Sequence, residues 1–511
     1  MVLALGLAVQ CARGAQPVEV AVDTGVKVSM RDGIVLRADI YRPKQEGRFP
    51  VLLQRTPYNK AGAAEFGHRA AAAGFVTIVQ DVRGRFTSEG EWYPFKYESA
   101  DGYDTIEWAA ALPYANGKVG MWGGSYVGAT QVLAAIAHPP HLAGICPVVT
   151  ASNYHSNWTY QGGASEQWFN ESWTSGLAQD TLNRRMQSET NALEGAWKLP
   201  LTAYPLFNTA TASLRLNSPG TLAPYFLDWL AHPSFDEYWK RWSIEDHYSA
   251  ITVPALHTAA WYDIFEGGSL RNYEGLRTQG GSEAARRGQH LLVTIGGHAG
   301  SGRQIGDVDF GLAAAENAET DVTLDWYDYL FRGARNHFAE KPVRVFVMGI
   351  NKWRDEDAWP PRNVRPTKYF LHSTTAANSL RGDGLLSTDT PQAAEAGDHY
   401  VYDPANPVPT IGGPLCCDPQ HLPAGPRDQR PAESREDVLV YSTAPLANDL
   451  EVTGPVTLEL YAKSSAVDTD FTAKLVDVWP HGFAQNLTEG IVRARYRESQ
   501  EKPELLNPGQ V

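Results

Sequence analysis

The chain has 511 residues, a formal net charge of −14 and a hydrophobic fraction of 43%. This length predicts two or three domains, and the hydrophobic fraction is sufficient for large cores. The acidic balance, without any run of Lys or Arg, argues against a nucleic-acid partner and against binding to an anionic membrane surface. After the first 16 residues, no stretch approaches about 18 uninterrupted apolar residues, so no membrane span is expected.

The chain opens with the apolar segment MVLALGLAVQCARGAQ, residues 1–16, which is too short to cross a bilayer. It resembles the later part of a secretory signal, with the small residues Ala12 and Gly14 near a candidate cleavage point, but it has no basic region at its start. We therefore expect a truncated or unusual export signal and a secreted or periplasmic protein. The alternative is a cytoplasmic protein.

Strand-like and helix-like segments alternate in residues 17–150. VKVSMRDGIVLRADIYRP predicts a hairpin around Asp32 and Gly33, because apolar and polar residues alternate on both sides of that pair. FPVLLQRTPY, FVTIVQDVRG and GKVGMWGGS are short apolar runs typical of buried strands, and SADGYDTIEWAAAL predicts a helix between the last two. This alternation favours an open, largely parallel sheet, which resumes in residues 251–340.

Two further regions have a different residue composition and pattern. Residues 151–250 are rich in aromatic, helix-like segments, which favours a helical cap over a pocket. Residues 341–511 have an all-β texture, with strand-like runs separated by turns rich in Pro and Gly: VRVFVMG, TKYFLHS, DHYVYDP, DVLVYST, VTLELYAKSS and DFTAKLVDVW. These runs favour a sandwich or jelly roll. The closing ELLNPGQV resembles the approach to another strand, so an incomplete jelly roll is expected.

The segment GMWGGSYVGAT places Ser125 on a glycine-rich turn between a strand-like run and the helix-like ATQVLAAIA. Strand, turn and helix in this order are the context of a nucleophile elbow. Gly123 stands two residues before the serine, but Val127 stands two after it and Gly128 one later, so the strict G-x-S-x-G pattern is not met. Such a short string also fits a serine in an ordinary glycine-rich loop. A nucleophile is therefore a hypothesis that requires partners elsewhere in the chain.

A serine nucleophile requires a base, and the base requires an orienting carboxylate. In folds with a nucleophile elbow these follow in the order serine, acid, histidine, on loops after successive strands. Asp263 follows the strand-like PALHTAAWY, and His298 follows the strand-like LLVTIGG. The alternatives are a helix N-cap for Asp263 and His257 as the base, although His257 lies inside a predicted strand, where a structural role is expected.

An oxyanion hole requires two donors directed at the developing negative charge. The first expected donor is the backbone N–H of Tyr126, the residue after the serine. The second usually comes from the loop after an early strand, and here that loop, QRTPYNKAG, carries the phenol of Tyr58. The alternative for Tyr58 is an aromatic side chain packed beside Pro57.

Cys146 lies in the apolar run LAGICPVV, where a buried thiol is expected. Cys416 and Cys417 are adjacent in the loop GGPLCCDPQ, where a vicinal disulfide and two unpaired thiols fit the sequence equally well. The cysteines have no C-x-x-C spacing. We predict a reaction that uses neither metal nor cofactor.

The segments RTPYNK, DVRGRFTSEGEW, GGSYVGATQ, WYDIFEGG, GGHAGSG and DTDFTAKLVDVWPHG occur in this order along the chain. Together they resemble the cocaine esterase and X-Pro dipeptidyl-peptidase-like hydrolases, a group that includes α-amino acid ester hydrolases and glutaryl cephalosporin acylases. The resemblance covers nearly the whole chain. It implies an α/β fold in three parts: an α/β-hydrolase core in residues 17–150 and 251–340, an inserted helical cap in residues 151–250, and a C-terminal all-β jelly-roll domain in residues 341–511.

The resemblance also implies roles for individual residues. Ser125 corresponds to the nucleophile, His298 to the base and Asp263 to the acid that orients the base. The Tyr58 hydroxyl and the Tyr126 amide correspond to the oxyanion donors. The family form G-x-S-Y-x-G accounts for the glycine that stands one place late. Contacts between jelly rolls, as in the family, imply a homodimer.

The resemblance extends to the acyl pocket, although there the chain departs from the family. Trp158, Trp168 and Phe265 would line the pocket, but aromatic residues at such positions are often plain core. Many relatives have GPW-x-H before the base, whereas this chain has IGGHAG. The amino acid ester hydrolases carry acidic residues that hold a substrate ammonium group, and Ser156 and Asn157 stand in the similar stretch here. A free α-amino group is therefore not expected to be required.

The predicted function is a serine hydrolase that cleaves a small-molecule ester or amide through an acyl-enzyme, with an ester of a bulky acyl group favoured. The first alternative is an X-Pro dipeptidyl peptidase or a β-lactam acylase, which would need an anchor for a charged substrate group. The second alternative is a non-catalytic glycan-binding protein. The ordered serine, acid and histidine argue against this second alternative.

Overall fold

The computed structural model describes residues 19–192, 222–317, 319–391, 395–417 and 419–511. The predicted export signal in residues 1–16, and residues 193–221 of the predicted cap, lie outside this described part. None of the helices that the structure describes is both long enough and apolar enough to cross a membrane.

The strands of the described residues are numbered in chain order. They are β1 (Val20–Ser29), β2 (Val35–Pro43), β3 (Phe49–Thr56), β4 (Val76–Asp81), β5 (Ala115–Gly124), β6 (Leu142–Val148), β7 (Tyr160–Gln161), β8 (Ala164–Ser165), β9 (Ala255–Tyr262), β10 (Gln289–Gly297), β11 (Gln304–Ile305), β12 (Val308–Asp309), β13 (Val343–Val347), β14 (Lys352–Glu356), β15 (Phe370–His372), β16 (Leu385–Ser387), β17 (Asp470–Val478) and β18 (Ala484–Arg493).

The α-helices of the described residues are numbered in the same way. They are α1 (Ala64–Ala72), α2 (Glu98–Ala110), α3 (Tyr126–Ile136), α4 (Gln167–Ala192), α5 (Pro224–Ala231), α6 (Glu237–Lys240), α7 (Glu266–Gln279), α8 (Glu283–Arg287), α9 (Glu319–Arg332) and α10 (Arg430–Glu433).

One ten-stranded sheet organises the molecule, in the order β1-β2-β4-β3-β5-β6-β9-β10-β13-β14. The strands from β4 through β3, β5, β6, β9 and β10 to β13 pair in parallel, and the pairs at the two edges are antiparallel. The pairing of β1 with β2 confirms the predicted hairpin. Parallel strands place their carboxyl ends at one edge of the sheet, which is where the loops after β5, β9 and β10 emerge.

Helices cover both faces of this sheet because neighbouring residues of each strand point to opposite sides. On β3, Val51 and Leu53 belong to a core cluster that also includes residues of α2 and α3, whereas Leu52 between them belongs to a second cluster with α1 and α9. Burial on both faces explains why these strands read as continuous apolar runs. The predicted α/β core is confirmed.

Helices α4, α5 and α6 lie between β6 and β9 in the chain, within the region predicted as a helical cap. Aromatic side chains of α4 and α5 enter the same buried cluster as the core helices: Trp173 on α4, and Tyr225 and Trp229 on α5. The cap region therefore packs directly on the α/β core, beside the elbow that carries Ser125.

The C-terminal part has fewer strands than the sequence predicts. The run VRVFVMG forms β13, which pairs with β10, and the chain leaves the large sheet after β14. DFTAKLVDVW contains β17, and TKYFLHS contains β15. DHYVYDP and VTLELYAKSS are not strands, and DVLVYST makes only isolated bridges. In VTLELYAKSS the apolar Leu458 and Tyr461 face solvent, so alternation there does not reflect a buried face.

Candidate active site

Ser125 lies between the end of β5 and the start of α3. Its backbone has φ 61° and ψ −128°, a conformation that residues other than glycine rarely adopt. Its N–H donates to the carbonyl of Val148 on β6 (2.9 Å), and its own carbonyl accepts from Thr150 Oγ1 (2.9 Å). These hydrogen bonds hold the strained turn. Such strain is typical of a nucleophile elbow, which exposes the serine hydroxyl above the strand ends.

Two glycines permit this turn, and both were singled out in the sequence. Gly123 has φ 120°, and a Cβ on it would lie 2.4 Å from Val127 Cγ1. A Cβ on Gly128 would lie 2.8 Å from Thr150 Cβ, so α3 could not approach the segment after β6 so closely. The close packing of α3 on the segment after β6 therefore explains why a glycine stands at position 128, one place later than in the strict pattern.

Asp263 and His298 follow β9 and β10, which are adjacent parallel strands. The Nδ1 atom of His298 lies 2.6 Å from Oδ2 of Asp263, and the other carboxylate oxygen of Asp263 accepts from the Phe265 N–H (2.7 Å). The Asp263 side chain is fully buried, and 14% of the His298 side chain is exposed. A carboxylate held in this way fixes the imidazole with Nδ1 protonated, which leaves Nε2 as the proton acceptor.

The alternative base His257 lies inside β9 and is buried. Its Nε2 is 2.8 Å from Oε1 of Gln289 on β10, and burial lowers its pKa to about 4. It is a neutral residue of the sheet interior, as expected from its position within a strand.

Tyr58 lies in the loop after β3 and contacts the elbow from the other side. Trp173 Nε1 on α4 donates to the Tyr58 hydroxyl at 2.9 Å, and the Ser125 side chain lies beside this phenol. Burial of the hydroxyl raises the Tyr58 pKa, although 41% of the residue surface is exposed. Because an indole N–H can only donate, the Tyr58 hydroxyl oxygen accepts from Trp173. The Tyr58 O–H can therefore donate to an oxygen atom at the elbow. No motif of the sequence indicates that Trp173 contacts Tyr58.

Tyr126 is the first residue of α3, so its backbone N–H has no partner within the helix. Its ring is completely buried, and its hydroxyl donates to Glu98 Oε1 (3.0 Å) and accepts from the Phe95 N–H (2.8 Å). Glu98 in turn pairs with Arg55 at 2.6 Å, and both side chains are buried. A buried ion pair thus anchors the residue that follows Ser125.

Of the three predicted pocket aromatics, two lie deep beside the histidine. Phe265 packs edge-on against the His298 ring (5.2 Å between ring centroids), and Trp158 stacks on Phe265 (4.5 Å). Both are fully buried, whereas Trp168 on α4 is 42% exposed and lies 6.4 Å from His421, between ring centroids. The structure therefore brings Phe265 and Trp158 together with His298 and places Trp168 at the surface.

Two glutamates that no sequence motif indicates also lie near Asp263 and His298. Burial, followed by the charge of Asp263, raises the pKa of Glu266, at the start of α7, to about 7. Desolvation of its carboxyl also raises the pKa of Glu319, at the start of α9, although the residue is exposed, while the nearby His298 lowers it. Their proximity to the site depends on how α7 and α9 return to the sheet, which no local pattern indicates.

The C-terminal part reaches this site through the loop that carries Cys416 and Cys417. The two cysteines form a vicinal disulfide, which decides between the two alternatives left by the sequence. Cys416 is buried in the same hydrophobic cluster as Trp158 and Phe265, and Cys417 is exposed. Cys146 is a buried free thiol, as predicted.

Comparison with known families agrees with this geometry. The model of the X-Pro dipeptidyl-peptidase (S15 family) matches residues 32–300, which is more than half of the chain. The chain belongs to this S15 family. A second model, the X-Pro dipeptidyl-peptidase C-terminal non-catalytic domain, matches residues 336–511. The S15 family membership and the predicted separate C-terminal β domain are thus confirmed.

Individual relatives of this S15 chain point the same way. It is 37% identical to the cocaine esterase of Rhodococcus sp. (strain MB1 Bresler), over 96% of the chain and 86% of the relative. Among solved structures, an aminopeptidase from a marine sediment Thaumarchaeota archaeon is 25% identical with a TM-score of 0.77, covering 99% of this chain and 87% of that one. An α-amino acid ester hydrolase has the same fold, with 23% identity, a TM-score of 0.76 and coverage of 98% and 87%. The protein is a serine hydrolase.

Proposed function

We propose that this serine hydrolase cleaves a small-molecule carboxylic ester through a covalent acyl-enzyme formed on Ser125. The observation that carries the proposal is that three features lie together at one edge of the sheet. These are the strained elbow of Ser125, the 2.6 Å contact between His298 and Asp263, and the Tyr58 phenol beside the Ser125 side chain.

In the proposed mechanism, Ser125 Oγ attacks the ester carbonyl while Nε2 of His298 takes its proton. Asp263 keeps Nδ1 protonated and stabilises the imidazolium that forms. The Tyr58 hydroxyl and the Tyr126 amide donate to the oxyanion of the tetrahedral intermediate. His298 then returns the proton to the leaving alcohol, and the same groups activate the water that hydrolyses the acyl-enzyme.

The choice of an ester is supported by the surroundings of Asn157 and by the relative with 37% identity, which is an esterase. By its resemblance to the amino acid ester hydrolases, Asn157 lies in the stretch where those enzymes carry acidic residues. Its Oδ1 accepts from the N–H groups of Ser152 (2.9 Å) and Asn153 (3.2 Å), and its Nδ2 donates to Ser152 Oγ (3.0 Å). It is therefore committed to the loop and offers no charge to a substrate ammonium group.

Labelling with a fluorophosphonate probe tests the proposal directly. The parent should be labelled at Ser125, Ser125→Ala should not be labelled, and His298→Ala and Asp263→Asn should react far more slowly. Ser125→Ala should keep the parent's thermal stability, because one hydroxyl at the surface of the elbow contributes little to folding. A folded parent that is not labelled would refute the assignment of Ser125.

A second candidate function is an aminopeptidase, which the solved archaeal structure with 25% identity favours. An aryl ester and a proline-containing dipeptide amide with a free amino group separate the two functions. We expect a much higher kcat/KM for the ester. The reverse order would assign the site to peptides.

A further inference from the structure

The loop that carries the vicinal disulfide is closed at its base and lies against the histidine loop. Gly413 and Gly425 exchange backbone hydrogen bonds of 2.8 and 3.0 Å, which close the loop between them. Ala424 packs beside Gly297, the residue before His298: a Cβ on Gly297 would lie 3.9 Å from Ala424 Cβ. The disulfide loop is therefore closed by backbone hydrogen bonds at its base and lies beside the loop of the proposed base.

A ring nitrogen of His298 and the Sγ atoms of Cys416 and Cys417 all lie within 4.8 Å of one another. Imidazole nitrogen and two thiolates are a ligand set that suits Zn²⁺ and other soft cations. In a tetrahedral site with Zn–S and Zn–N bonds of about 2.0–2.3 Å, neighbouring ligand atoms are about 3.3–3.8 Å apart. The two sulfur atoms would stand about 1.7 Å farther apart than in a disulfide bond, so each sulfur needs to move by about an ångström once the bond is broken.

We propose that reduction of the Cys416–Cys417 disulfide creates a soft-metal site, made of the two thiolates and Nε2 of His298, whose occupation inactivates the enzyme. Nδ1 of His298 is engaged by Asp263, so Nε2 is the ring nitrogen that faces a cation. A nitrogen that coordinates a metal cannot accept the proton of Ser125. The inactivation rests on the proposed role of His298 as the base, whereas the metal site itself does not.

The reduction step needs a dithiol or phosphine reductant. A dithiol is oxidised to its disulfide and transfers two electrons and two protons, so that the Cys416–Cys417 bond breaks and two thiols form. A phosphine supplies the two electrons and is oxidised to the phosphine oxide, with water as the source of the oxygen atom and of the two thiol protons. Binding of Zn²⁺ then releases the thiol protons, because the thiolate is the metal ligand. With the disulfide intact, neither sulfur carries the charge that holds the cation.

The experiment measures zinc binding and catalysis separately. Zinc uptake is titrated calorimetrically on Ser125→Ala, before and after treatment with a phosphine, which does not compete for the metal as a thiol would. Ester hydrolysis by the parent is measured before and after the same reduction, each time without Zn²⁺, with Zn²⁺, and with Zn²⁺ followed by a chelator. The double variant Cys416→Ser/Cys417→Ser lacks the site. Cys146→Ser is the matched control, because its thiol is buried elsewhere in the core.

We expect reduced Ser125→Ala to bind one equivalent of Zn²⁺ and the unreduced protein to bind none at this site. The reduced parent should lose at least tenfold in activity with Zn²⁺ and recover with the chelator, as should Cys146→Ser. The double variant should keep its activity throughout. Equal zinc uptake by reduced protein with and without the two cysteines would overturn the proposal, as would equal inhibition before and after reduction. Thiol-dependent zinc uptake by a protein that the fluorophosphonate does not label would instead refute only the role of Ser125.

Discussion

The hydrogen bond from Trp173 to Tyr58 gives the sharpest test of the oxyanion hole. Tyr58→Phe removes a proposed donor, and loss of one such donor lowers kcat by about 10²–10³-fold. Trp173→Phe leaves the phenol in place but removes the indole N–H that orients it at 2.9 Å. A neutral hydrogen bond contributes about 0.5–1.5 kcal/mol, which corresponds to a decrease in kcat of about 2- to 13-fold.

The double variant Tyr58→Phe/Trp173→Phe distinguishes a positioning role from general damage. If Trp173 acts only through the phenol, its substitution changes nothing further once the phenol is gone, so the two effects are not additive. The assay is steady-state hydrolysis of an aryl ester, with kcat and KM determined separately. Trp326→Phe is the control for shortening a buried tryptophan, because Trp326 lies on α9 in another core cluster. Fully additive effects of the two substitutions would refute the orienting role of Trp173.

Three further predictions concern stability. The Glu266 carboxyl has a pKa of about 7 in the native state, whereas its ordinary value, expected in the unfolded state, is 4.5. Between pH 4.5 and pH 7 the native state therefore binds more protons than the unfolded state. The free energy of unfolding consequently falls as the pH rises through this window. Glu266→Gln should therefore be more stable than the parent at pH 8, by at most about 3 kcal/mol, and equal to it near pH 4. Arg55→Met leaves the Glu98 carboxylate buried without its cation and should cost about 3–5 kcal/mol in urea denaturation. Gly128→Ala forces a Cβ to within 2.8 Å of Thr150 and should cost about 1–3 kcal/mol in thermal unfolding.

Each of these stability predictions has an outcome that contradicts it. A stability difference between Glu266→Gln and the parent that is the same at pH 4 and pH 8 would show that Glu266 does not titrate in this window. Full stability of Arg55→Met would show that the ion pair is dispensable. Gly176→Ala on α4 is the control for Gly128→Ala, because nothing lies within 4 Å of its added Cβ. If both alanine variants had equal stability, close packing at Gly128 would not be the cause.

The parts of the site that follow strands could be predicted from the sequence. Asp263 and His298 each come directly after an apolar run, and adjacent parallel strands bring their ends together, so their contact could be expected. Trp173 could not be found in this way, because it lies 115 residues from Tyr58 and meets it only through the packing of α4. Local alternation predicted β17 but also predicted a strand around Tyr461, where the residues are exposed, because alternation alone does not identify a pairing partner.

The end of β9, directly before the loop of Asp263, is hydrogen-bonded to strand β18 of the C-terminal part. The Tyr262 hydroxyl, on the residue before Asp263, donates to the carbonyl of Asn486 on β18 (2.8 Å) and accepts from the Gln485 amide (3.1 Å). Tyr262 and Asn486 are 224 residues apart in sequence. During synthesis, the loop of the acid thus stays without this anchor until β18 has left the ribosome. The enzyme is therefore expected to gain its activity as a late event in biosynthesis, and a nascent chain that stops before β18 should hold a folded sheet with little catalytic power.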